Sequence, residues 1–355
     1  ICKKNIRHNN EYLIDNPRAV FNWKRGRLFD KIACFIFYEM CCLNSTAVVE
    51  EVIHKNKPKW KPRPLETIEL QKRCSRYLRI PAKQTMALAE ALYQRGYISY
   101  PRTETNKFPR GIKLKELIGK QTASNIWGNY AASLLVEGNQ SKFKYPSNGN
   151  KDDKAHPPIH PTKFNANDFK SNDEKRVYEF IVKHFLACCS DNAKGSETTV
   201  NIDIAGEKFT TTGLIVLERN WLEIYNYEKW NGKVIPEFEV NQTFKPDKII
   251  WKDGKTTAPE LLTEAQLIAK MDKNGIGTDA TIATHITTIQ DREYAILNQY
   301  RKFEPTNLGI SLVKAYDKMG YALSKPHLRA NMEAQMQKIA QGELNKNVFL
   351  NNIML

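Results

Sequence analysis

Two stretches of alternating, strand-like sequence lie far apart in this chain, with a long helical stretch between them. "ETTVNIDIAGEKFTTTGLIVLERNWLEIY" (197–225) alternates apolar and polar residues about an Ala-Gly pair, the pattern of strands joined by a hairpin. "PEFEVNQTFKPDKIIWKDGKTTAPE" continues in the same character. Near the other end, "AVVEEVIHKNKPKWKPRP" (47–64) begins as a strand, and "AVFNWKRGRLF" (19–29) has strand-like apolar and aromatic content. "DKIACFIFYEMCC" (30–42) fits a buried helix or a strand, which periodicity does not separate. A chain of 355 residues is too long for one compact pair of layers. The block order predicts an α+β, multidomain fold with one β domain split in two. Its first half, a β-rich hinge or arch domain, spans 1–64 and its second half 196–258. A mainly helical domain is inserted at 65–195, and a helical domain follows at 259–355. An insertion that leaves and returns in this way suggests a hinge.

The helical blocks carry their own punctuation. In "IPAKQTMALAEALYQRG" (80–96), Pro81 sits where a first turn tolerates it and Gly96 where a left-handed C-cap is wanted. The chain then enters "YISYP", which places Tyr100 at the end of a short strand launched by a capped helix. "KLKELIGKQTASNIWGNYAASLLVEG" holds one or two further helices. Val177, Phe180, Ile181 and Phe185 in "NDEKRVYEFIVKHFLACCSDNAKG" (172–195) follow the three-four spacing of an amphipathic helix. From Leu262 the character is again helical, and Thr263 with Gln266 outlines a capping box.

Charge bears on partners. The chain has 54 Lys+Arg against 39 Asp+Glu, a net +15, which makes polyanions the first candidates. Lys55, Lys57, Lys59, Lys61 and Arg63 alternate around Trp60. This is either a phosphate-tracking ribbon with a stacking ring or an edge strand guarded by lysines. The seven cysteines, Cys2, Cys34, Cys41, Cys42, Cys74, Cys188 and Cys189, are odd in number and form no C-x-x-C, so neither a disulfide framework nor a zinc site is expected. Reduced thiols, mostly in the core, are. The longest apolar run, near Ile32 to Phe37, is too short to span a bilayer, and no membrane association is expected. No signal peptide opens the chain, and Ile1 is not a start methionine, so the sequence reads as a piece of something longer.

Three stretches hold chemistry. Tyr100-Pro101-Arg102 is the first. A phenol with a pKa near 10 needs help to attack anything, and a phosphodiester repels nucleophiles by its charge. A guanidinium neutralises that charge and stabilises what builds up in transfer. In an extended segment residues i and i+2 share a face, so Arg102 projects beside Tyr100 while Pro101 fixes the backbone between them. The alternative is a tyrosine packing its ring at a strand end. Second, His156 and His160 in "AHPPIHPTK" have i, i+4 spacing, but Pro157, Pro158 and Pro161 forbid the helix a zinc pair needs. With Lys163 they suit phosphate contacts on a stiff loop, or simply a proline-stiffened surface. Third, "NGIGTDAT" (274–281) opens like a phosphate loop but lacks the Lys of a nucleotide-binding one. Its amides with Thr278 or Thr281 could hold a DNA phosphate, or Thr278 or Asp279 could merely cap a helix.

Together "GYISYPRTETN", "AHPPIHPTK", "LTEAQLIAKMDKNGIGTDATIATHITTIQDREY" and "LRANMEAQMQKIAQGE" resemble the type IA DNA topoisomerases. They are most similar to the eukaryotic topoisomerase III group and, through "TETN" and "HPPIHPTK", to its alpha branch. The order is kept over nearly the whole chain. The resemblance implies a toroid that opens when the tyrosine-bearing domain lifts. It also implies ATP-independent relaxation or decatenation, by single-strand cleavage through a 5′-phosphotyrosine, strand passage and resealing. Tyr100 matches the nucleophile, Arg102 the residue that positions the scissile phosphate, and His156 a phosphate contact. His160 stands where bacterial relatives often carry arginine. Glu90 matches a position lining the same region, and Thr278, Asp279 and Thr281 match the loop bordering the single-strand groove.

The family's Toprim domain, whose D-x-D carboxylates and glutamate bind Mg²⁺, has no counterpart here: "NIDIAGE" offers Asp203 and Glu207 without the second aspartate. Mg²⁺ is thus implied by the family and assigned to a domain outside this chain. The expectation is that this chain alone binds single-stranded DNA but cleaves it poorly, and robust covalent adducts from it would refute that. The resemblance also implies a RecQ-type helicase and an OB-fold accessory protein as partners, and the nucleus, with a possible mitochondrial pool. Two other readings stay open: a non-catalytic single-strand-binding scaffold, and a tyrosine strand transferase acting on duplex DNA.

Overall fold

The computed structural model describes residues 17–138, 141–166 and 168–354; Cys2 and the start of the 1–64 stretch lie outside them. The chain divides into two compact units, one of residues 1–60 with 192–258 and one of residues 61–191 with 259–355.

The first unit is built on an antiparallel sheet. Its strands are β1 (Asn22–Trp23), β2 (Ala47–Lys59), β3 (Ala193–Ile204), β4 (Glu207–Glu218) and β5 (Thr243–Phe244), in the order β1-β4-β3-β2-β5. β2 and β3 pair from Ala47↔Ile204 to Lys59↔Ala193, so residues more than a hundred apart in sequence form the centre of the sheet. β3 turns into β4 through Ala205 and Gly206, at φ 54° and 85°. Positive φ at both central residues matches the twist that a two-residue hairpin requires. Helix α1 (Lys31–Leu43) settles the ambiguity of 30–42; the Asp30 side chain caps it by accepting from the Ala33 amide at 3.0 Å. α1 contributes Cys41 to a core of Ala47, Val49, Val200, Ile202, Ile204 and Ile235. Much of the expected strand content is missing. Only Asn22–Trp23 and Thr243–Phe244 pair in the 19–29 and 236–260 stretches. Pro236, Pro246 and Pro259 cannot donate to a ladder, and together with Gly254 they break the run.

The second unit is mainly helical. Its helices are α2 (Thr67–Arg73), α3 (Ala82–Gln94), α4 (Leu114–Gly119), α5 (Gly128–Leu135), α6 (Asn172–Cys188), α7 (Glu264–Lys273), α8 (Ile282–Asp291), α9 (Asn307–Lys318), α10 (Pro326–Ala340) and α11 (Lys346–Met354). A short hairpin, β6 (Ala295–Leu297) with β7 (Phe303–Pro305), interrupts a stretch read as helical. α6 is capped by Ser171, and its Val177, Phe180, Ile181 and Phe185 are all at most 2% exposed. Each such burial is worth about 1.5–3 kcal/mol. α7 carries the full capping box of Thr263 and Gln266. A second cluster joins Ile68 of α2 and Ala82 of α3 to Ile268, Ile282, Ile286 and Phe303. That packing brings the two sequence segments of this unit together. Among the described residues no helix is long and apolar enough to cross a membrane. The described cysteines are free thiols, with Cys41, Cys74, Cys188 and Cys189 buried.

Candidate active site

The backbone that carries Tyr100 is held on three sides. α3 ends in a Schellman motif: the Gly96 amide bonds Tyr93 O at 2.8 Å and the Tyr97 amide bonds Leu92 O at 2.9 Å, with Gly96 at φ +71°. The next residues lie along the proline-rich loop. The Ser99 amide donates to His160 O (2.9 Å), the His160 amide to Ser99 Oγ (3.0 Å) and the Thr162 amide to Tyr97 O (2.9 Å). The expected strand is reduced to a single bridge, Ile98↔Pro161, because Pro161 has no N–H with which to extend it. On the other side stands Thr67, fully buried at the start of α2. Its hydroxyl donates to Pro101 O (2.7 Å) and accepts from the Thr103 amide (2.8 Å), while its own amide donates to Thr103 O (3.1 Å). Tyr-Pro-Arg is thus a clamped segment, and its backbone bends at Ser99 and Pro101 instead of running on as the extended strand expected from the sequence.

Tyr100 is half-buried. Its ring meets Tyr93 edge-on at 5.3 Å and lies 4.5 Å from the His156 ring at a 40° tilt. Arg102 Nε donates to Glu90 Oε1 at 2.6 Å, its Nη2 pairs with the same oxygen, and Nη1 donates to Ala280 O at 3.3 Å. These contacts leave guanidinium donors over for a phosphate. Glu90, expected among the DNA contacts, is therefore the counter-ion of Arg102. The Ala280 contact brings the "NGIGTDAT" loop to the tyrosine segment. In that loop Gly277 has φ +77°, and a Cβ there would come within 3.0 Å of Thr281 Oγ1. Thr281 Oγ1 accepts from the Thr278 amide at 2.8 Å, and the Asp279 carbonyl accepts from Gln71 Nε2 at 3.5 Å. α8 starts after Thr281, so neither Thr278 nor Asp279 is its N-cap.

His156 is exposed and is held from below by Asp153. Asp153 Oδ1 accepts from the Ala155 and His156 amides, both at 2.9 Å, and Oδ2 accepts from Thr103 Oγ1 at 2.8 Å. His156 Nδ1 stands 3.9 Å from Oδ2. Burial alone would raise the Asp153 carboxyl, but the His156 and Ala155 amides and the Thr103 hydroxyl outweigh it and hold it well below the usual carboxylate range. The same loop is pinned by Lys151, whose Nζ lies 3.2 Å from Glu66 Oε1 and 3.4 Å from Asp272 Oδ1. Asp153, Thr67 and Thr103 were not singled out from the sequence. An Asp four residues before the first proline of a proline-rich segment is a turn signal that would have flagged the first.

His160 and Lys163 are placed differently. His160 is 5% exposed, packs against Phe108 (5.7 Å) and Phe185 (6.3 Å), and bonds Pro158 O through Nδ1 at 2.7 Å. Burial lowers its pKa against the opposing pull of that carbonyl. It supports the loop from inside. Lys163 Nζ lies over the Tyr97 ring at 4.4 Å, beside Asp168, which accepts from Tyr97 Oη at 2.6 Å. Of the basic ribbon, Lys57 pairs with Glu197 (3.0 Å) and Lys59 with Glu228 (3.1 Å). Lys61 is buried, its ammonium donating to the carbonyls of Tyr145 (2.7 Å), Ser190 (2.7 Å) and Lys144 (3.3 Å). Trp60 is 71% exposed. These three lysines are thus engaged with protein groups, and Lys61, beyond the end of β2, fits neither the ribbon nor the edge reading. Among the described residues no group of three or more His, Cys, Asp or Glu is disposed to hold a metal ion. The described residues therefore do not fit a Mg²⁺ site.

Comparison with known proteins bears on the family and the fold. The family model described as DNA topoisomerase matches residues 5–351. DNA topoisomerase 3-alpha of Homo sapiens is 52% identical over 330 residues, 93% of this chain and 32% of that protein. DNA topoisomerase 3 of Dictyostelium discoideum is 49% identical over 328 residues, 92% of this chain and 39% of that protein. Full-length topoisomerase I from Thermotoga maritima shares the fold, with a TM-score of 0.73 over 94% of this chain and 55% of that one, at 22% identity. This chain spans 32% of the length of its human relative. With the type IA fold, a family match over nearly all its residues and half its positions identical to the eukaryotic type 3 proteins, the chain belongs to the DNA topoisomerase family.

Proposed function

We propose that this chain supplies the strand-cleaving tyrosine of a type IA topoisomerase acting on single-stranded DNA. Tyr100 Oη attacks a backbone phosphorus; an O–P bond forms and the P–O3′ bond breaks. The phenol gives up its proton, the 3′ oxygen takes one up, and the 5′ end remains on the tyrosine. One phosphoester replaces another, so the reverse attack by the 3′-hydroxyl reseals the strand without ATP. Arg102 neutralises the scissile phosphate and stabilises charge in transfer. His156 contacts a phosphate oxygen, and the 278–281 loop borders the strand. The observation that carries this reading is the clamped backbone on which Tyr100 and Arg102 stand two residues apart, with His156 against the phenol ring.

Mg²⁺ dependence, RecQ-type helicase and OB-fold partners, and action in the nucleus belong to the same proposal and rest on the family resemblance alone. The test is incubation of the natural full-length protein with 3′-labelled single-stranded DNA, followed by denaturation. The expected result is a covalent adduct that retains the label and is lost in Tyr100→Phe. An adduct that persists in Tyr100→Phe would overturn the assignment.

A further inference from the structure

We propose that Asp153 is a positioning residue for the Tyr100 reaction, acting through His156. The inference rests on the reading of Tyr100 as nucleophile and deepens it. One carboxylate joins three parts of the site. Its Oδ1 fixes the turn by accepting the Ala155 and His156 amides at 2.9 Å, so the imidazole leaves the loop from a set point. Its Oδ2 lies 3.9 Å from His156 Nδ1, too far for a hydrogen bond but near enough to attract the imidazole when the ring carries a proton. The same oxygen accepts the Thr103 hydroxyl at 2.8 Å, and Thr103 directly follows Arg102. The Asp153 amide completes the tie by donating to Thr105 Oγ1 at 3.0 Å. A displacement of the loop therefore reaches both the imidazole against the phenol and the backbone behind the guanidinium.

Two of the nearby charged residues are engaged elsewhere, while Glu104 lies close enough to feel the Asp153 charge. Asp152 pairs with Lys107 at 2.9 Å, and Lys151 lies between Glu66 and Asp272. Asp153 is thus the carboxylate paired with His156 among the described ion pairs. A side chain that orients a reacting group is worth up to about a hundredfold in rate when its removal lets that group drift by an ångström.

The test is a double-mutant cycle in the natural full-length protein, reading the first-order rate of adduct formation at saturating single-stranded DNA and, separately, DNA affinity. Asp153→Asn and Asp153→Ser both keep an oxygen for the local amides and remove the charge. Two variants keep the test alive if one fails to fold, and thermal unfolding checks both. The expected result is a rate about 10- to 100-fold lower with affinity within about twofold, and a much smaller further loss when either substitution is added to His156→Ala. Equal losses with and without His156 would show a merely structural role and overturn the inference, as would a rate unchanged in both variants. Tyr100→Phe, run alongside, separates the two levels. If it keeps full adduct formation, the underlying reading fails; if it abolishes the adduct while the Asp153 variants are silent, only this inference fails.

Discussion

Glu90 Oε1 accepts a 2.6 Å hydrogen bond from Arg102 Nε, so the guanidinium assigned to the scissile phosphate is already held by a carboxylate one helix away. Both side chains are partly exposed, at 38% and 29%. A pair of this kind contributes about 0–1 kcal/mol to stability. Glu90→Ala is therefore expected to leave the melting temperature nearly unchanged while slowing cleavage, because Arg102 loses its orientation. Arg102→Lys should cost more than Glu90→Ala, since an ammonium cannot serve Glu90, Ala280 O and a phosphate with one planar fork. Parallel melting curves and adduct-formation rates check both. A melting shift without a rate change would make the pair structural.

Thr67 gives a sharper separation of stability from geometry. Valine keeps the shape but leaves the Thr103 amide and Pro101 O without their buried partner. The expected cost is about 1–3 kcal/mol in unfolding free energy, measured by denaturant titration. The rate of adduct formation should fall by more than the affinity for single-stranded DNA, because the residues displaced are those behind Tyr100 and Arg102.

Glu66 predicts a pH dependence. Burial pushes its carboxyl up to about 7, although Lys151 at 3.2 Å pulls the other way. From the ordinary value of 4.5 up to about 7, the folded chain keeps a proton that the unfolded chain has released. The contribution of this group to stability is thus complete below pH 4.5 and is lost as pH rises through about 7. Glu66→Gln, which cannot ionise, should be less sensitive than the parent to a change from pH 5 to pH 8, and relatively more stable at pH 8. Melting curves at both values decide it. Parallel pH profiles for parent and variant would count against the buried proton.

What the sequence revealed followed how local its signals were. The Ala205-Gly206 hairpin, the Gly96 cap, the Thr263–Gln266 box and the apolar face of α6 are each set by a few neighbouring residues, and each is present. The 236–260 stretch misled because its composition is strand-like while its prolines deny it a ladder. The β6–β7 hairpin lay hidden in a stretch read as helical. In the site, Tyr100, Arg102, His156 and the 278–281 loop were singled out from residue type, spacing and family resemblance, and the fold sets Tyr100 against His156 and Arg102 against Ala280 of that loop. The inward turn of His160, the placing of Lys163 over Tyr97 and the burial of Lys61 were not. Those depend on which partner the tertiary fold delivers to a side chain, and spacing holds no record of that. Thr67 escaped for the same reason: it acts on Pro101 and Thr103, more than thirty residues away.

Tyr100 is the residue proposed to become linked to DNA. The most direct measurement is to trap the adduct on single-stranded DNA, digest protein and DNA, and map the remaining nucleotide by mass spectrometry. The expected product is a 5′-phosphonucleotide on the tyrosine of the peptide containing Tyr100-Pro101-Arg102. The same modification on any other residue, or a 3′-phosphoryl linkage at Tyr100, would contradict it.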